Sequence, residues 1–369
     1  MLDFDGFGPE KVLIVHNPKI GLRGFVVIDN TALGPGKGGI RLTKTVTVGE
    51  VAKLARTMTW KNALADIPFG GAKAGIVADT DVPSKERKAE LMQAFAYAIK
   101  PLVPEHYIAG PDMNITQEEM RIFAETIGDN KACTGKPKEL GGLPHELGST
   151  GFGVFHATGV AVDFLEMGLN NAKVAIEGFG NVGSFAGKFL SEAGAKLVGV
   201  SDIKGLVYNE NGLDYEKLIE ARDKKGSVIA YAGEKQILPN HDIIKLDVDI
   251  LITAAIPNLI QAHEVDLVKA KLIVEGSNIP MTQEVEEMLA QRGILIIPDF
   301  VANAGGVISS YVEYIGGTKR EMFKLVEEKI TKNTKLVIER ASDTLHTRAA
   351  ALAIARERVL KKCEWCRDN

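Results

Sequence analysis

The chain has 369 residues, 45% hydrophobic and 25% charged, a globular composition long enough for two domains. A formal net charge of -4 and a pI near 6.1 leave no basic surplus to hold a phosphate backbone, so nucleic-acid binding gains no support and polar small molecules are the expected partners. The N-terminal stretch MLDFDGFGPEK is acidic and lacks an apolar targeting core, no apolar run reaches the ~18 residues of a membrane span, and three cysteines are too few for a disulfide framework; a cytoplasmic protein off the membrane is expected.

In chain order, residues 1–147 mix strand-like stretches such as GFVVID with helical ones such as GEVAKLARTMTW, carry no phosphate-binding glycine turn, and read as an α/β domain of their own. The small residues of GSTGFGVFHAT, 148–158, interrupt the pattern and suit a hinge. From 148 to 346, KVAIEG, KLVGVSD, DVDILITAA, KLIVEGSN and ILIIPDF are short apolar strands alternating with helices, which predicts a parallel sheet covered on both faces. TRAAALAIARERVLKK is a good helix, and the segment 347–369 is expected to return to the first domain. At its end Cys363 and Cys366 form a C-x-x-C with no second cluster or nearby His to complete a metal site, and read as a helix-end pair without chemistry; no metal is expected.

The turn after the first strand of the second domain is Gly178, Phe179, Gly180, Asn181, Val182, Gly183, a G-x-G-x-x-G between a clear strand and a helix with Val182, Phe185, Ala186, Phe189 and Leu190 on one face. Glycines there permit a tight turn and close backbone approach, and the helix N-terminus offers N–H groups to a pyrophosphate. Asp202 ends the next strand, where a carboxylate accepts from a ribose hydroxyl, although with Gly205 it could equally shape a turn. NAD or NADP is the expected cofactor; Asp202 favours NAD, and Lys204 two residues on offsets part of that preference.

Three lysines of the first domain lie in or near glycine-rich runs: Lys37 in GPGKGGIRL, Lys61 in TWKNAL and Lys73 in GGAKAGI. Flanking glycines let backbone and ligand approach closely. A dicarboxylate needs two fixed cations, and a third lysine near them has its pKa lowered by like charge and burial, which suits a base. Asp112, after Pro111, reads on its own as a turn or capping residue.

These stretches, with GPDMNIT, EGSN and NAGGVISSYVEY, resemble the glutamate dehydrogenase family of amino-acid dehydrogenases from about residue 31 to the C-terminus. The resemblance implies an N-terminal substrate domain and a Rossmann-like dinucleotide domain separated by a catalytic cleft that closes on its ligands. It implies that Lys37 binds the side-chain carboxylate of L-glutamate, Lys61 the α-carboxylate, that Lys73 with lowered pKa activates water, and that Asp112 shuttles the amino-group proton. Gly110, Val307 and Ser310 would line the substrate pocket, and Thr158, Asn258, Asn278 and Asn303 would shape the nicotinamide side. The products would be 2-oxoglutarate and ammonium, and a homo-oligomer, a hexamer, is implied. Relatives acting on leucine, valine or phenylalanine typically carry an apolar residue at the position of Lys37, so glutamate is favoured over those substrates and over a catalytically silent regulatory subunit. The chain departs from the family where GGGKGG reads GGAKAG, where EGANGP reads EGSNIP, and where Phe155 replaces a common arginine. It begins close to the first motif, which implies a shortened assembly segment, and only 59 residues follow Ser310, too few for a regulatory antenna.

Overall fold

A computed structural model describes residues 3–144, 147–232 and 237–367, in two compact units. One comprises Met1–Leu147, Val307–Met322 and Ala353–Asn369, the other Gly148–Gly306 and Phe323–Leu352.

The first unit begins with strands β1 (Lys11–Asn17), β2 (Leu22–Asn30), β3 (Gly36–Lys37) and β4 (Ile40–Thr43), helix α1 (Val48–Leu64), β5 (Gly70–Val77), α2 (Lys85–Ile99), β6 (Tyr107–Ile108) and α3 (Gln117–Ile127). The sheet runs β1-β2-β5-β3-β6, with β4 also paired to β5; β1 and β2 are antiparallel, as are β2 and β5, while β3 and β4 run parallel to β5. Successive side chains of a strand face opposite sides, so Val26 and Ile28 of β2 enter a core with Leu91, Phe95, Met120 and Phe123 of α2 and α3, while Val27 enters a smaller one with Val51 and Ala55 of α1. The β-branched run in β2 is buried on both sides for this reason.

Helix α1 starts at an N-cap, Thr47, whose hydroxyl accepts from the Glu50 N–H. Near its other end the Asn62 amide donates to the Gly70 carbonyl at 2.6 Å, tying α1 to β5. The Arg358 guanidinium donates to the Ala63 and Leu64 carbonyls at 3.0 and 2.5 Å, groups that a helix terminus leaves without intrahelical partners.

The second unit contains α4 (Ser149–Phe164), β7 (Lys173–Glu177), α5 (Asn181–Glu192), β8 (Lys196–Asp202), β9 (Gly205–Tyr208), α6 (Tyr215–Lys225), β10 (Ile237–Leu238), β11 (Ile250–Thr253), β12 (Leu272–Glu275), α7 (Gln283–Gln291), β13 (Leu295–Ile297) and α8 (Asp299–Ala302). Its sheet has the order β10-β9-β8-β7-β11-β12-β13. Five strands are parallel as the alternation predicts, but β9 and β10 are antiparallel additions at one edge, because the short turn after Asp202 can only reverse the chain. The chain closes with α9 (Gly305–Tyr314), α10 (Lys319–Ala341) and α11 (Thr347–Leu360).

Beyond α11 the C-x-x-C pair, expected to be chemically silent, is joined as a disulfide, the turn bringing the two Cα atoms to 5.4 Å. The tail there is fastened to the start of the chain: Arg367 N–H donates to the Gly6 carbonyl, and the Asn30 amide donates both to Phe7 O and to Cys366 Sγ. Among the described residues no helix is long and apolar enough to cross a membrane.

Arg358→Ala removes two hydrogen bonds to helix-terminal carbonyls. We expect a loss of about 1–3 kcal/mol, measured as a lower urea midpoint at unchanged slope.

Candidate active site

Strand β5 is buried along nearly its whole length, and Lys73 sits in it with its ammonium 2.5 Å from Asp112 Oδ2. Asp112 is held beside it because Ile40 N–H donates to Gly110 O and Leu42 N–H to Met113 O, laying the GPDM segment along β4. Its Oδ1 accepts from the Met113 N–H at 2.8 Å, and Arg41 Nε lies 3.4 Å from Oδ2. Burial pushes the Asp112 carboxyl up, but the Lys73 charge and hydrogen bond, the Arg41 charge and the Met113 N–H outweigh it, and the acid stays below its ordinary range.

Lys37, on the short strand β3, is 4% exposed and its ammonium donates to the Ala109 carbonyl at 2.7 Å. Burial lowers its pKa to about 7; Cys133 and Glu313 raise it, and the Lys136 and Lys73 charges lower it further. Gly110 leaves room for the ammonium here: a Cβ would stand 2.6 Å from the Lys37 Nζ and displace it. The Tyr107 hydroxyl donates to the Gly38 carbonyl and steadies the same loop. Lys61 lies half-buried in the last turn of α1, next to the Asn62 that ties α1 to β5. Val307 and Ser310 are half-buried in α9.

Two further groups here were not assigned from the sequence. Thr134 is fully buried, its hydroxyl has no hydrogen-bond partner, and it lies 3.8 Å from the point a Gly110 Cβ would occupy, on the same side as the Lys37 ammonium. Arg41 stands four residues after Lys37 in the same motif and was legible there as a cation, though its pairing with Asp112 and Glu50 was not.

In the second unit a cavity of about 340 Å³ opens at the ends of β7, β8 and β11, lined among others by Gly178, Phe179, Gly180, Asp202, Ile203 and His241. Strand order reverses there, which is where open α/β sheets bind ligands. Helix α5 begins at Gly180 with no side chain capping its N–H groups, and Gly183 cannot carry a Cβ, which would stand 1.9 Å from the Gly178 carbonyl. A dinucleotide fits this donor set: uncapped amides for a pyrophosphate, and a carboxylate at the end of the neighbouring strand. Asn181 and Val182 open the helix without lining the cavity.

Both Asp202 oxygens are already engaged. Oδ1 accepts from Lys204 N–H, and Oδ2 from the Ser227 hydroxyl and Val228 N–H, so the carboxylate also shapes the turn that the sequence allowed as its alternative role. Glu177, which sequence reading passed over, accepts from the Ala254, Ala255 and Ile256 amides and so fixes the loop after β11; burial holds its pKa above the ordinary value despite those bonds. His241, also overlooked, pairs through Nε2 with Glu264 at 2.6 Å.

Asn303 Nδ2 donates to Asn278 Oδ1 at 3.0 Å, and Asn258 N–H donates to the Ile279 carbonyl, so these three asparagines gather on the turn after β12. None lines the cavity, nor does Thr158, which is fully buried in α4 with its hydroxyl on the Val154 carbonyl.

Residues 9–129 match the Glu/Leu/Phe/Val dehydrogenase dimerisation domain, and residues 141–364 match the Glutamate/Leucine/Phenylalanine/Valine dehydrogenase domain. The chain belongs to this family. It is 40% identical over 350 residues to a glutamate dehydrogenase of Aeropyrum pernix, covering 90% of this chain and 84% of that one. To an NADP-specific glutamate dehydrogenase of Saccharolobus shibatae it is 40% identical over 348 residues, 90% and 82% of the two chains. The crystal structure of a hetero-hexameric glutamate dehydrogenase from Thermus thermophilus, in a leucine-bound form, superposes with a TM-score of 0.84 at 28% identity, over 96% of this chain and 89% of that one.

Two departures from the Glu/Leu/Phe/Val dehydrogenase pattern have a physical setting. Phe155 sits half-buried in an aromatic cluster of α4 and α5, with ring centroids 6.3 Å from Phe152 and 5.9 Å from Phe189, which gives the apolar ring neighbours to pack on. Ile279, replacing the glycine of EGANGP, has φ of 49°, a left-handed conformation that is costly for a β-branched residue. It is held there from both sides, its N–H on Asp299 Oδ2 at 3.0 Å and its carbonyl on Asn258 N–H.

Ile279→Gly relieves that conformation. We expect a gain of about 1–2 kcal/mol, seen as a raised thermal midpoint, with the three-asparagine turn unchanged.

Proposed function

We propose that this chain is an NAD(P)-dependent L-glutamate dehydrogenase, catalysing reversible oxidative deamination to 2-oxoglutarate and ammonium. The observation that carries the reading is the 2.5 Å contact between Lys73 and Asp112, in the same sheet as the buried Lys37 ammonium. In this reading Lys37, with Ser310 and Val307, holds the side chain, and Lys61 holds the α-carboxylate. Asp112 Oδ2 takes the proton from the substrate amino group; its depressed pKa keeps it ionised to do so at neutral pH. Lys73 Nζ orders the water that adds to the imine carbon and exchanges its proton with Asp112. When bound, the dinucleotide supplies the hydride acceptor. The Gly178–Gly183 turn and Asp202 orient it, and Asn258, Asn278 and Asn303 shape the turn beside its nicotinamide. An apolar substrate side chain would leave the Lys37 charge buried with a carbonyl but no close counter-charge, which favours glutamate over leucine, valine or phenylalanine.

The N-terminal unit is the substrate and assembly domain in this reading, and the second unit the dinucleotide domain. A cytoplasmic homo-oligomer, a hexamer, completes it, supported by the match of residues 9–129 to a domain described as a dimerisation domain.

The direct test is the rate of nicotinamide reduction with glutamate, leucine, valine and phenylalanine, each with NAD and NADP. Turnover confined to glutamate is expected, and turnover only on apolar amino acids would overturn the role of Lys37. Slow residual turnover of unbranched apolar amino acids is compatible with this expectation. In the same assay Lys73→Ala is expected to lose about 10²–10⁴-fold in kcat on glutamate; full activity would end the mechanism.

Lys37 also predicts a pH dependence. With a pKa of about 7 in the free protein, it is protonated below that pH and neutral above it. A dicarboxylate binds the protonated form, so the inhibition constant of glutarate should be flat below pH 7 and rise about tenfold per pH unit above it. Lys37→Met should weaken glutarate and remove the slope.

A further inference from the structure

The N-terminal unit buries one complete ion pair away from the reacting groups. Lys136, 4% exposed, places its ammonium 2.7 Å from Glu313 Oε1 and 2.6 Å from the Cys133 carbonyl. Glu313 in turn accepts from the Gly135 and Leu143 N–H groups at Oε2, each at 3.0 Å, and from the Lys136 N–H at Oε1. Four donors from one loop thus converge on one carboxylate of α9.

A buried pair of this kind adds little net stability, because the desolvation of both charges offsets their attraction; its best-attested use is to fix one register. The register fixed here belongs to the side-chain subsite. Glu313 is three residues after Ser310, which is three after Val307, so Ser310 neighbours both along α9. The loop it grips contains Thr134, and the Ala109 carbonyl accepts from both Thr134 N–H and the Lys37 ammonium. One carbonyl therefore links the gripped loop to the cation that reads the substrate. The charges reach Lys37 as well, Glu313 supporting its protonated form and Lys136 opposing it.

We infer that Lys136 and Glu313 are positioning residues for substrate selection, holding the α9 face that carries Val307 and Ser310 in register with the Lys37 loop and balancing the charge there. The inference rests on the assignment of Lys37 to the substrate side chain.

The test compares Glu313→Gln, Lys37→Ala and the apolar replacement Lys136→Met/Glu313→Met in the full-length protein. KM and kcat are measured for L-glutamate and for L-norvaline, an apolar amino acid that makes no demand on the Lys37 charge. Glu313→Gln leaves the Lys136 ammonium unopposed. KM for glutamate should rise tenfold or more, while KM for norvaline and for the dinucleotide stays within twofold. A folded Glu313→Gln protein with an unchanged glutamate KM would overturn the inference, as would parallel losses on both amino acids, which mark a merely structural role. If Glu313→Gln does not fold, the double variant decides: reduced discrimination between glutamate and norvaline supports positioning, and unchanged discrimination refutes it. Lys37→Ala separates the two levels. If it leaves glutamate KM unchanged, the assignment of Lys37 fails; if it raises KM while Glu313→Gln does not, only the positioning role fails.

Discussion

An ammonium group inside a protein is unfavourable unless something of opposite charge or strong hydrogen-bonding capacity meets it. The N-terminal unit is organised around that constraint. Lys37 and Lys73 lie on neighbouring parallel strands, with Lys37 in register with Gly71, two residues before Lys73. Their solutions differ. Lys73 is met by the Asp112 carboxylate, whereas Lys37 has a carbonyl and, further off, the Glu313 charge. A carbonyl partner satisfies a hydrogen bond but does not neutralise a charge. The site thus holds one cation that is balanced and one that awaits an anion.

The second unit meets the opposite need, an anionic ligand without lysines. Gly180, the uncapped N-cap of α5, lines the cavity, and the carboxylates around it are turned to internal tasks: Glu177 holds the loop after β11 and Asp202 holds the turn to Val228. Both acids shape backbone, and shaped backbone carries the donors. The same logic recurs at the turn after β12, where Arg348 joins Glu275, Glu286 and Asp299, and Asp299 in turn receives the Ile279 N–H. A strained Ile279 persists because that ion cluster and Asn258 fix the backbone on either side of it.

Much of this was legible in the sequence because it depends on local pattern. Strand β8 occupies the apolar run KLVGVSD to the residue, and α5 follows the glycine turn; of the face expected there Ala186 and Leu190 are buried, with Gly183, Ser184 and Gly187, while Val182, Phe185 and Phe189 stay half-buried, because small residues let the helix lie close to the sheet. The lysines stood out through their glycine neighbours. What was not legible depends on partners distant in sequence. Nothing near Thr134 or Lys136 announces that Ala109 and Glu313 will meet them, and Asp202 gives no sign that Ser227 and Val228 will occupy it. The reversal into β9 was missed because a four-residue apolar stretch after a short turn has too little length to show a direction.

In the proposed reading the unbalanced cation also accounts for the direction of specificity. With no anion bound, burial drives Lys37 toward neutrality, so the free protein carries a cost that an arriving carboxylate removes by restoring the charged form. An apolar side chain offers no such relief and adds desolvation of the ammonium to its own binding. Selection for a dicarboxylate would then not require many contacts, only one buried cation kept short of its counter-charge. The surroundings keep that arrangement: Gly110 leaves room for the Nζ, and Tyr107, on the strand next to Lys37, braces the loop through the Gly38 carbonyl.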